Sequence, residues 1–121
     1  MQSKPLKNKA LIIKVLKDHK ATDIISLNIK KLTDIADYMI ICTATSNRHV
    51  KALTDHLLLE AKKAGIKKLG AESHNSTEWG LADFGDIIVH IMTEKKRQIY
   101  ALEKMWGIKT TKDNRDKKKL K

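Results

Sequence analysis

Two carboxylates and an imidazole, Asp83, Asp86 and His90, stand close together in the stretch EWGLADFGDIIVHIM, residues 78–92. Residues of these types at short spacing are the raw material of a metal site or of an acid–base pair. A metal needs about three converging ligands, and intervals of three and four residues match no standard ligand pattern. On an otherwise apolar strand, a structural histidine with a satisfied ring is the plainer reading of His90. Asp83-Phe84-Gly85 spells the metal-binding tripeptide of protein kinases, but neither a glycine-rich phosphate loop nor a catalytic-loop motif accompanies it. A chain of 121 residues is also far too short for that fold.

A second candidate is Thr43-Ala-Thr-Ser-Asn-Arg-His49, between an apolar run and the start of a helical pattern. Free backbone N–H groups and the helix dipole at such a junction can hold a phosphate. A nucleotidyltransferase would want a Gly-Ser turn here and an Asp-x-Asp pair on a following strand. The glycine is missing and no such pair follows, so a strand-to-helix turn capped by Ser46 is the simpler reading. Cys42, the single cysteine, has no internal partner for a disulfide, and its apolar surroundings describe a buried, inert thiol. No catalytic residue, metal ligand or cofactor is expected.

The elements that must position these residues can be read from periodicity. Residues 6–17 form a helix with Ala10, Ile13 and Leu16 on one face. Residues 23–29 alternate, with Ile25, Leu27 and Ile29 on one side and Ser26 and Asn28 on the other, as in a half-exposed strand. Residues 38–43 are apolar on both faces, as in a central strand covered on both sides. From Ser46 a helix runs to Ala64 with Val50, Leu53, Leu57 and Ala61 buried, and stops at Gly65. Residues 68–72 make a weak strand. Residues 79–83 and 86–92 make a hairpin turning at Phe84-Gly85, and Thr93 caps a last helix that ends at Gly107. The order is α-β-β-α-β-β-β-α, and one mixed five-stranded sheet with packed helices is the economical α/β architecture.

Length allows one domain, and no run of about 18 apolar residues could span a membrane. The start, MQSKPLKNKA, lacks an apolar segment behind its charges, so a secretory signal is not expected. The formal charge of +11 sits mostly at the ends. Residues 1–20 carry six Lys against one Asp, and residues 107–121 carry seven bases against two acids. The middle is balanced to within one charge. All but three of the bases are Lys, in a chain also rich in Ile, which reads as compositional bias before it reads as RNA recognition. The Lys-rich tail, expected to be disordered, would add a salt-sensitive, non-specific attraction to a polyanion.

Strand alternation divides the hairpin. With a Phe84-Gly85 turn, Asp83 faces Asp86, Leu81 faces Ile88 and Trp79 faces His90, and these six side chains share one side. Gly80, Ala82, Ile87 and Val89 share the other, where small residues beside aliphatics suit close packing of a helix. The first side has an apolar centre and a polar rim, the pattern of a docking surface. The alternative is that another helix covers Trp79.

These segments resemble the ribosomal silencing factor family, also called Iojap-like. The resemblance rests on residues 36–50, ADYMIICTATSNRHV, then Glu78-Trp79, Asp83-Phe-Gly-Asp86, Ile88-Val-His-Ile91 and residues 100–106, YALEKMW. It covers roughly residues 8–106, with several motifs in the family's order. It implies a domain over 1–106 related in fold to nucleotidyltransferases but lacking their catalytic groups. It also implies binding to the large ribosomal subunit through ribosomal protein L-fourteen, a block to small-subunit joining, and lowered translation under nutrient limitation in the cytoplasm. A homodimer off the ribosome is implied as well. Residue by residue, the family's strand-start Trp falls on Trp79, its strand-end Asp on Asp83 and its last-helix Tyr on Tyr100. With Leu81 and His90 these form the expected docking patch, and Arg48 is a candidate for rim contact. The chain departs from the family at Ala44 and Ser73, where Gly is usual, and at Gly80 and Ala82, where larger β-formers are usual and small residues are expected to loosen the hairpin's core side. Two other readings stand beside this one: a degenerate metal-dependent nucleotidyltransferase, and an RNA-binding module driven by the tail.

Overall fold

Seven consecutive buried residues, Tyr38–Ala44, form β2, the strand on which the rest of the sheet is laid. The computed structural model describes the backbone of residues 4–72 and 78–100 and the side chains of residues 6–72 and 78–97. Within them the elements are α1 (Lys4–Asp18), β1 (Thr22–Asn28), β2, α2 (Asn47–Lys63), β3 (Gly70–Glu72), β4 (Trp79–Asp83), β5 (Ile87–Thr93) and α3 (Glu94–Tyr100). The order is the expected one. The five strands form one mixed sheet, β1-β2-β5-β4-β3, in which only β2 and β5 run parallel. A parallel pair needs a long crossover, and α2 with the β3–β4 pair supplies it.

One core lies between the sheet and the helices α1 and α2. Ile12, Val15 and Leu16 from α1 meet Val50, Leu53, Leu57 and Ala61 from α2 over Ile40, Cys42, Ala82, Val89 and Ile91. The α2 stripe is the one expected. The α1 stripe is rotated from the expected Ala10, Ile13 and Leu16: Ala10 is exposed and Ile13 half-buried, while Ile12 and Val15 are inside. Residues 10–16 are apolar at all but one position, so local periodicity leaves the face open and docking on α2 selects it.

Both long helices end in the same device. After α2, Gly65 N–H donates to the Lys62 carbonyl and Ile66 N–H to that of Ala61. After α1, Ala21 N–H donates to the Leu16 carbonyl and Lys20 N–H to that of Lys17, with Lys20 at φ 71°. These are Schellman endings, and Lys20 occupies the second without glycine.

A second, smaller core lies on the opposite face of the sheet. It is built from Ile25, Leu27, Ile29, Met39, Ile41 and Met92, with half-buried Trp79 and Ile88 against it. The expected β1 alternation of Ile25, Leu27 and Ile29 is therefore correct, and its buried side faces this second core. A bulge in β1 leaves Asp23 at φ 48°, and Arg97 of α3 donates to its carbonyl and to Thr43 Oγ1 at 2.9 Å. Arg97 thus pins α3 to the start of β1 and the end of β2. The expected continuation of this last helix to Gly107, and the tail beyond it, lie outside the described residues.

The hairpin register differs from expectation. Phe84 N–H donates to the Ile87 carbonyl at 2.9 Å, so the turn is Gly85-Asp86 and not Phe84-Gly85. Gly85 has φ 88°, as the first position of a primed hairpin turn requires, and phenylalanine resists such a backbone. Each β4 residue therefore pairs two places further along β5: Trp79 with Met92, Leu81 with His90 and Asp83 with Ile88. A shift of two preserves the faces. Only Asp86 is lost from the expected outer side, because it belongs to the turn.

Candidate functional site

The outer half of the second face is made by β4 and β5. Their side chains alternate between buried (Gly80, Ala82, Ile87, Val89, Ile91) and half-buried (Trp79, Leu81, Asp83, Ile88, His90). The aliphatic side lies against α2. A methyl group on Gly80 would stand 2.5 Å from Thr54 Oγ1 and 3.1 Å from Val50 Cγ1. Gly80 is therefore what lets α2 approach β4, and the expectation that it loosens this packing is reversed.

On the other side, Trp79 and His90 are diagonal neighbours across the strand pair and their side chains meet. Indole Nε1–H donates to imidazole Nδ1 at 2.9 Å, with the rings tilted by 57° and their centroids 5.5 Å apart. An indole nitrogen only donates, so Nδ1 accepts and the ring proton of neutral His90 is on Nε2. Burial pushes the His90 pKa down to about 4, which keeps the ring in that neutral form. One ring nitrogen of His90 is thus satisfied by a neighbour on the same face.

Asp83 Oδ1 accepts from Gly85 N–H at 2.8 Å, so this carboxylate shapes its own turn while standing at the rim of the face. Asp86 is exposed, and its carbonyl takes N–H bonds from Asp37 and Tyr38, tying the hairpin turn to the start of β2. Among the described residues no three His, Cys, Asp or Glu side chains are grouped to hold a metal. Arg48 is exposed in the first turn of α2, the helix that covers the other face. Tyr100 is the last residue of α3, and its side chain lies outside the described residues.

The junction after β2 is a capped turn. Ser46 Oγ accepts from His49 N–H at 3.1 Å. His49 Nδ1 takes the Thr45 N–H at 2.9 Å, so Nε2 carries the ring proton and donates to the His19 carbonyl at 2.9 Å. One neutral imidazole thus joins this turn to the end of α1. Periodicity gives no hint of it, because His19 and His49 are thirty positions apart; the i, i+4 placement of Thr45 and His49 is the only local signal. A cleft of about 640 Å³ opens nearby, between the ends of β2 and β5 and the starts of α2 and α3. Cys42 is fully buried, with its thiol pushed up to about 12 by burial, and is inert as expected.

The fold and this face define a class: an α/β domain on one mixed sheet, with a half-exposed Trp–His–carboxylate surface on the side away from its two long helices. The sequence model of the "ribosomal silencing factor during starvation" family matches residues 2–121. A Haemophilus influenzae ribosomal silencing factor is 43% identical over 96 residues, covering 79% of this chain and 94% of that protein. A mouse protein named for mitochondrial assembly of the ribosomal large subunit is 26% identical over 106 residues, covering 85% of this chain and 46% of its own. A crystal structure of a Chromobacterium violaceum protein superposes with a TM-score of 0.84 at 40% identity, covering 89% of this chain and 90% of that one. The chain belongs to the ribosomal silencing factor family.

Proposed function

We propose that this protein is a non-catalytic translation repressor of the cytoplasm. It binds the large ribosomal subunit through ribosomal protein L-fourteen, at the surface where the small subunit would join, and lowers translation when nutrients are scarce. The observation that carries the reading is the half-exposed Trp79, Leu81, Asp83, Ile88 and His90 face beside an otherwise fully buried β2. An apolar centre with an aromatic anchor and a carboxylate at its rim is what a protein partner recognises. Silencing by exclusion requires position and affinity and no reacting group, in keeping with the absence of a nucleotidyltransferase's carboxylate pair from the sequence. The family name supports silencing of ribosomes, and the name of the mouse relative supports the large subunit as the partner.

Trp79 is the anchor. In co-sedimentation with purified large subunits, Trp79→Ala is expected to weaken binding at least tenfold, an ordinary loss for a truncated interface aromatic. The same variant should fail to prevent subunit joining followed by light scattering. A folded Trp79→Ala protein that sediments with large subunits as well as wild type places the docking face elsewhere. Binding of the wild type to small subunits instead removes the reading altogether.

A further inference from the structure

An indole has a single hydrogen-bond donor, and Trp79 points it at His90, a neighbour on the same face. The indole N–H is therefore committed within the face, and the polar group offered beside it belongs to the imidazole. Because Nδ1 accepts from the indole, His90 carries its proton on Nε2, and that N–H has no acceptor among the described residues. His90 is half-buried and opposite Leu81, so the donor lies within the face and not at its margin.

From this geometry we infer that His90 is the positioning residue of the docking face: it fixes the orientation of Trp79 and presents its own Nε2–H to an acceptor oxygen of the partner. The inference rests on the docking reading of this face and adds two things to it. The Trp79 ring is oriented before the partner arrives, which removes an ordering cost from binding. The partner must bring a carbonyl or carboxylate oxygen beside an apolar surface. A half-buried donor left without that oxygen would weaken the complex, so the pair also selects among partners.

The test compares His90→Phe, which keeps an aromatic ring and removes both nitrogens, with His90→Gln. The glutamine amide has an oxygen to accept from the indole and an N–H group to donate outward. The Trp79 indole N–H resonance, assigned by its absence from Trp79→Phe, reports the bond. Co-sedimentation with large subunits reports docking. His90→Phe should move that resonance upfield, speed its exchange with solvent and weaken binding about tenfold, the factor carried by one net hydrogen bond of ordinary strength. His90→Gln should hold both readouts close to wild type. The inference is wrong if folded His90→Phe binds like wild type, or if it loses binding with the resonance unmoved.

Should His90→Phe not fold, His90→Gln decides alone. Keeping both supports the inference, and losing either readout in the folded variant overturns it. Trp79→Ala measured alongside separates the two levels. If Trp79→Ala binds normally, the docking face and this inference fall together. If it loses binding while His90→Phe keeps it, only the role of His90 falls.

Discussion

At the scale of single residues, His90 links a buried bond to a dependence on pH. Its folded-state pKa lies near 4, against an ordinary value of 6.5, and burial is the cause. Above pH 6.5 both folded and unfolded chains hold the ring neutral, and the contribution of the Trp79 bond is fully present. As pH falls from 6.5 towards 4, the unfolded chain takes up a proton that the folded chain refuses, so stability drops. The full drop is roughly 3 kcal/mol, from a shift of about 2.5 pH units. On this face β4 brings the carboxylate of Asp83, whose Oδ1 is held by Gly85 N–H, and α3 brings Arg97, whose guanidinium is bonded to Thr43 and Asp23. Urea unfolding of wild type and His90→Gln between pH 7.5 and 4 should give stabilities that separate as pH falls, because only wild type carries the titrating ring. Parallel curves over that range would mean that His90 does not titrate as its burial implies. Sequence alone places Trp79 and His90 on one side of the hairpin, but their diagonal placement depends on the hairpin register, and that register turns on whether Phe84 or Asp86 occupies the turn.

Elements were legible where pattern and packing demand the same thing. β2 reads as covered on both faces because residues 38–43 are apolar throughout, and α2 reads correctly because its stripe lies between a serine cap and a glycine stop. The α1 face was not legible, because residues 10–16 offer apolar side chains to almost every direction. Gly80 was misjudged for a related reason: an isolated strand loses packing at a glycine, whereas here the packing comes from α2. Thr54 is fully buried and its hydroxyl is committed to the Val50 carbonyl at 2.8 Å, so it cannot swing aside from a new methyl group. Gly80→Ala should therefore cost about 2 kcal/mol of overpacking even though alanine suits a strand better than glycine. In a Thr54→Ala background the same change should cost less than about 1 kcal/mol, because the nearest obstructing atom is gone. Chemical denaturation of the four proteins measures the coupling. An equal cost of Gly80→Ala in both backgrounds would show that Thr54 is not what confines this position.

The whole molecule separates charge from the docking face. Its folded middle is nearly neutral, while residues 107–121 carry seven bases against two acids. Attraction of those bases to a polyanionic particle weakens steeply with salt, whereas contact through Trp79, Leu81 and Ile88 depends on apolar area and shape. The two contributions can therefore be told apart by ionic strength. Removing residues 107–121 should weaken large-subunit binding at 50 mM salt by less than about tenfold and make its dependence on salt shallower. Near 300 mM salt the truncated and full-length chains should bind alike, because screening has by then removed most of what the tail adds. Trp79→Ala should lower affinity by a similar factor at every salt concentration. If truncation instead abolishes co-sedimentation at all salt concentrations while the domain stays folded, the tail is the binding element and the sheet face is not. That outcome would reassign the protein to a basic RNA-binding module, the one reading in which its charge and not its fold selects the ribosome.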